Sequence, residues 1–211
     1  PRCAFTYVTG LATRFGWHDM EPTDSAFDFR LVTHLLNRVN EYQKRWSLHM
    51  VSATVHSSSA AYVVDLPGVT TWNHTLDGVT TRKPVPWDLT CQARHDRFVE
   101  RLAETPTPTV SGATVPLRSN PALTDIDVLV PGIGNIREGS ARLAAPEISD
   151  LPGYTRTRFI DAVLAALRPY ANRFLAVNIL IPFWDVTDTT SSPPLWQAIH
   201  DEIVAEFGKR I

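Results

Sequence analysis

The feature that most constrains this chain is an alternation. Four times, an apolar strand-like run is followed by a run whose apolar residues recur at the helical period. A first strand, expected within residues 4–17, leads to a helix over residues 29–44. There Leu31, Val32, Leu35, Leu36 and Val39 form one apolar stripe. A second strand over residues 47–55 carries Leu48, Met50, Val51, Ala53 and Val55. After it comes a long loop holding Pro67-Gly68, Asp77-Gly78 and Pro84-Val85-Pro86, all turn signals. The next helix starts near Asp88 and carries Phe98, Val99 and Leu102. A loop rich in Pro and Thr, residues 105–121, precedes a third strand at 126–130. The helix at 155–170 then shows Phe159, Ile160, Val163, Leu164 and Leu167 on one side. A fourth strand at 174–183 leads to a helix over 194–207. Pro193-Pro194 stands at its start, where a missing N–H costs nothing.

Strands that read as apolar on both faces and alternate with amphipathic helices imply an α/β fold with a parallel sheet. Its crossovers should be right-handed. An open, doubly wound sheet usually keeps its strand-to-helix loops short. The loops here are long and carry Trp, His, Asp and Ser. A (β/α) barrel builds its site from such loops, at the carboxyl ends of its strands. The expectation is therefore parallel βα units in a barrel or partial TIM-type barrel, one domain over residues 1–211. A complete barrel takes eight units in about 250 residues, and four are read here. Four would leave two sheet edges unpaired, which proteins normally cover. Another chain, a further segment or a dimer mate is expected to complete the sheet. The chain opens on Pro1 rather than Met, which suggests a processed end or a piece of a longer polypeptide.

Composition removes several function classes. Hydrophobic residues make up 44% and charged residues 20%, enough apolar material for a core. A net charge of -2 without a basic face argues against nucleic acid as a partner. No apolar run reaches the roughly 20 residues that a membrane helix needs. The longest, residues 174–184, is interrupted by Asn178 and Pro182. His49, His56, His74 and His95 show no metal-ligand spacing, so no metal is expected. Gly132-Ile133-Gly134 has Arg137 where a dinucleotide fingerprint needs its third glycine, so no cofactor is expected. Cys3 and Cys91 are too few for a disulfide framework. Two unpaired thiols are favoured over one disulfide between them.

The segment Phe15-Gly16-Trp17-His18-Asp19-Met20-Glu21-Pro22, followed by Phe27-Asp28-Phe29, resembles a stretch of barrel glycosidases. In those proteins an aromatic strand end is followed by Glu-Pro, a turn, and an aromatic-Asp-Phe that opens the next helix. Val55-His56, Pro67-Gly68-Val69 with Trp72, Pro84-Val85-Pro86-Trp87-Asp88 and Phe98-Val99-Glu100-Arg101-Leu102 are similar to further parts of the same proteins, in the same order. Together, over residues 10–207, they resemble the β-galactosidase-like and cellulase-like barrels of the large retaining-glycosidase clan. The resemblance implies a carbohydrate-active domain that acts on an oligosaccharide or polysaccharide. It begins near that family's second strand, and the strand that carries the family's nucleophile has no counterpart here.

Glycoside hydrolysis needs two carboxyl groups, roughly 5–5.5 Å apart for retention and roughly 6.5–9.5 Å apart for inversion. One must be held protonated by burial or a neighbouring charge. Glu138 is the acid/base candidate. It follows the third strand through a Gly-rich turn, as the acid/base does in the resembling family, and Asn135 beside it could bond a sugar hydroxyl. Its competing role is a solvated partner of Arg137 or Arg142. Asp185, after the fourth strand, is the nucleophile candidate within this chain, and Trp184 offers a face for a sugar ring. Asp188 reads as a turn cap. Trp17, His18 and Asp19 end the first strand and His56 ends the second, all candidate substrate contacts. Glu21 before Pro22 reads as a loop-holding carboxylate. Ser57, Ser58 and Ser59 lack the Gly-x-Ser-x-Gly elbow, which argues against a serine hydrolase built on them.

Three readings remain open: a glycosidase, a non-catalytic carbohydrate-binding or adhesive domain, and a structural barrel of a larger assembly such as a phage tail or cell-surface protein. An extracellular, virion-surface or cell-surface setting is favoured over the cytoplasm.

Overall fold

The computed structural model describes residues 8–50, 60–76, 79–132, 150–181 and 194–208. Its centre is a four-stranded parallel sheet of β1 (Gly10–Phe15), β2 (Arg45–Met50), β7 (Leu123–Asp127) and β8 (Asn178–Leu180). The strands lie side by side in chain order, β1-β2-β7-β8. A doubly wound sheet reverses its order at a switch point, and this one does not. The fold is thus a mixed α/β structure with a singly wound sheet. The described strands form an open sheet and close no barrel.

Among the described residues, five α-helices accompany it: α1 (Trp17–Met20), α2 (Arg30–Glu41), α3 (Leu89–Ala103), α4 (Arg156–Arg173) and α5 (Leu195–Phe207). Their starts follow from local chemistry. The Asp88 carboxylate caps α3 by accepting from the backbone N–H of Cys91 at 2.9 Å, and it also accepts from Thr70 N at 2.8 Å. Thr155 caps α4 by accepting from Arg158 N at 3.1 Å. Pro194 precedes the first residue of α5. The helical stripes go inward: Val32, Leu36 and Val39 of α2, Phe98, Val99 and Leu102 of α3, and Phe159, Val163 and Leu167 of α4 are all buried. Leu31, counted in the first stripe from spacing, is instead exposed.

Two departures from the sequence expectation stand out. Residues 71–84, read as loop, form an antiparallel pair of β3 (Thr71–Leu76) and β4 (Val79–Pro84). The Pro- and Thr-rich loop likewise contains a short pair, β5 (Pro106–Pro108) and β6 (Thr114–Pro116). The second departure concerns the sheet, whose two faces differ. Phe15, Trp46, Leu48, Met50, Ile126 and Ile179 share one face, and all join one buried core cluster of the described residues. Arg14, Ser47, His49, Asp125, Asp127 and Asn178 share the other. The expectation of strands apolar on both faces therefore fails.

A β-bulge sets this division. Trp46 pairs with Leu123, but the next residue, Ser47, pairs with Asp125. A regular pleat would put Leu123, Asp125 and Asp127 on one face. The extra residue sends Leu123 to the core beside Trp46 and leaves both aspartates on the polar face.

Candidate functional site

The polar face is ordered in two rows across the strands. Nearer the carboxyl ends, Arg14, His49, Asp127 and Leu180 are register partners. One step back come Ala12, Ser47, Asp125 and Asn178. Adjacent strands lie about 4.8 Å apart, so side chains in a row are in reach of one another. His49 Nδ1 lies 3.4 Å from Asp127 Oδ2, and His49 Nε2 lies 3.0 Å from Ser47 Oγ. Asn178 donates to Asp125 Oδ1 at 2.9 Å, and Thr124 donates to Asp125 Oδ2 at 2.7 Å. Burial, helped by the charge on Arg14 and opposed by Asp125, holds the His49 imidazole below its ordinary pKa. A neutral imidazole beside a carboxylate can accept a proton. Asp127 is 8% exposed at its side chain and His49 26%, so the pair is semi-enclosed and reachable.

Beside this face, the turn after β1 is clamped to α3. The Glu21 side chain is fully buried and accepts from Trp17 Nε1 at 2.7 Å, from Ser25 N at 3.0 Å and from Arg97 at 2.5 Å. Arg97 also reaches Asp24 at 2.6 Å and the Tyr62 hydroxyl at 3.2 Å. The guanidinium of Arg97 holds the Asp24 carboxyl below its usual range. Burial, together with the Glu21 charge, pushes the Tyr62 phenol up. These carboxylates are committed to the protein's own cations, as the sequence reading of Glu21 anticipates. Deeper still, His95 is enclosed by Trp17 and Tyr170, with ring centroids at 5.5 and 5.7 Å. Burial alone drives its pKa down to about 3.

Of the residues singled out from sequence, Trp17, His18 and Asp19 are described. Trp17 is 1% exposed and packed against Phe98 and His95, so its ring presents no open stacking face. This corrects its expected role as a sugar platform, because the core between β1 and α3 claims the ring. His18 and Asp19 lie on the exposed side of α1, with Asp19 accepting from Gly16 N at 2.8 Å. Glu138, Asp185, His56, Asn135 and Trp184 lie outside the described residues. Gly132, in the Gly-rich turn after β7, adopts φ +86° and packs closely against the protein itself. A Cβ there would collide with the Pro84 carbonyl.

Arg14, Ser47, Asp125 and Asp127 were not singled out from sequence, and His49 was considered only as a metal ligand. The available signal was the period-two pattern Trp46-Ser47-Leu48-His49-Met50, which separates an apolar from a polar face. Cavities among the described residues lie elsewhere. One of about 640 Å³, lined by Phe27, Phe29, His34 and Arg101, sits between α2 and α3. One of about 530 Å³, lined by Arg45, Leu123 and Asn178, sits at the amino ends of the strands. Among the described residues, no group of three or more His, Cys, Asp and Glu is placed to hold a metal ion. Compared with known proteins, the chain matches no family model and no curated protein.

Proposed function

We propose that this chain is a carbohydrate-active domain of glycoside-hydrolase type, a partial (β/α) barrel that works at the carboxyl ends of its parallel strands. The observation that carries the reading is the singly wound sheet with one polar face, on which Arg14, His49 and Asp127 line up near the strand ends. In a (β/α) barrel that end of the strands is where substrate binds. Sugar hydroxyls are met by carboxylates, Arg and His at such a face. The acid/base would be Glu138, eleven residues beyond β7, and the second carboxylate Asp185, beyond β8.

The non-catalytic reading, a sugar-binding or structural domain of a larger assembly, has one observation in its favour. Trp17, the described aromatic that the sequence offered as a sugar platform, is spent on the core.

The test is release of reducing ends from a panel of plant and bacterial polysaccharides. The proposal expects release by the native chain and a loss of about 10²–10⁴-fold in Glu138→Gln, the range for a general acid. Binding on a glycan array without release would leave the binding domain. Neither release nor binding would reject the carbohydrate reading.

A further inference from the structure

We propose that Ser47, His49 and Asp127 form an acyl-transfer centre, with Ser47 as the nucleophile toward esters of small carboxylic acids. The proposal stands independently of the glycosidic reading. Its observation is the connectivity of the three side chains. Ser47 Oγ meets one imidazole nitrogen, Nε2, at 3.0 Å, and Asp127 Oδ2 meets the other, Nδ1, at 3.4 Å. A nucleophile, a base and an orienting carboxylate in that order define the serine-hydrolase constellation by geometry and not by sequence position. Apo centres of this type commonly show such slightly long contacts.

The surroundings fit the roles. Asp127, nearly buried, lies within ion-pairing distance of Nδ1; in the proposed centre it would hold the proton on that nitrogen and leave Nε2 to accept the hydroxyl proton. The low basicity of His49 keeps it neutral near pH 7, as a base must be. Arg14, its register partner on β1, adds a cation to the same face. Ser47 and His49 project from one strand, so the nucleophile and base are fixed by the backbone of β2 and not by a loop.

The step balances without any redox partner. Ser47 Oγ bonds to the ester carbonyl carbon as His49 Nε2 takes its proton, and the carbonyl π pair moves onto oxygen. Collapse breaks the bond to the alcohol oxygen, and the departing alcohol takes the proton from His49. Water then adds to the acyl-serine with His49 again as base. The carboxylic acid leaves, and the proton returns to Oγ.

The experiment is labelling of the 211-residue chain with a fluorescent fluorophosphonate, followed by peptide mapping. This reagent forms an Oγ–P bond, expels fluoride and passes the hydroxyl proton through the imidazole to solvent. The expected result is one adduct, at Ser47. It should be absent in Ser47→Ala, slowed by about a hundredfold or more in His49→Ala, and slowed to a lesser degree in Asp127→Asn. Mapping on the native chain keeps the test independent of whether any variant folds. A folded native chain that takes no label, a label on another serine, or a rate unchanged in a folded His49→Ala variant would each overturn the proposal.

Discussion

The two faces of the central sheet are built from the same strands and do opposite work. On one, Trp46, Leu48, Met50, Ile126 and Ile179 are shut away from solvent in the core. On the other, residues one step along the same strands, Ser47, His49, Asp125 and Asp127, are ordered by hydrogen bonds and charge. Burial of apolar area holds the first face together at roughly 25 cal/mol per Å². The second contributes less, since a half-exposed polar contact such as that of Ser47 with His49 adds on the order of 1 kcal/mol or less. Stability and chemistry are thus divided between alternate residues, and the bulge at Trp46-Ser47 keeps the division intact through β7.

The division can be broken from the apolar side first. Leu48→Ala should cost about 2–5 kcal/mol, read as a lower midpoint in urea unfolding, because it empties a fully buried site. Arg97→Ala should come next, at about 2–3 kcal/mol. It strips the counter-charge from buried Glu21, discounted because Arg97 itself is 24% exposed. A loss under 1 kcal/mol would show that the clamp between the β1 turn and α3 is dispensable.

The pH dependence sharpens the same contrast. His95, held near pKa 3 by burial, binds its proton in the unfolded chain below about pH 6.5 but not in the folded one. The unfolded state therefore gains protons first, and stability falls as pH drops from about 6.5 toward 3. The slope should approach about 1.4 kcal/mol per pH unit. His49, depressed less and partly exposed, adds a smaller effect of the same sign. Replacing His95 with Phe should remove about one proton from the slope measured between pH 4 and 6. The smallest effect is on the polar face, where Ser47→Ala should change stability by less than about 1 kcal/mol.

Much of the scaffold was legible. Helices α2, α3 and α4 announced themselves by their apolar residues, and Asp88, Thr155 and Pro194 marked the starts of α3, α4 and α5. The pair β3 and β4 was missed because Thr71–Leu76 and Val79–Pro84 are mostly polar and show no apolar alternation, although Asp77-Gly78 is a hairpin signal. The polar sheet face was missed for a different reason. A run of apolar residues in β2 was read as buried on both sides when its Ser and His break the run at every second position. In β7 no period-two reading could have placed Leu123 and Asp125 on opposite faces, because the bulge depends on pairing with β2. Trp17 was assigned to substrate by its neighbourhood, but the indole N–H found a buried carboxylate four residues on.

The most direct test of the account is a nuclear magnetic resonance titration of the isotopically labelled chain with a set of oligosaccharides. The account predicts shifts at Arg14, Ser47, His49, Asp125 and Asp127, with Phe29 and His34 of the cavity between α2 and α3 unmoved. Shifts confined to Phe29 and His34, or none with any sugar, would contradict it.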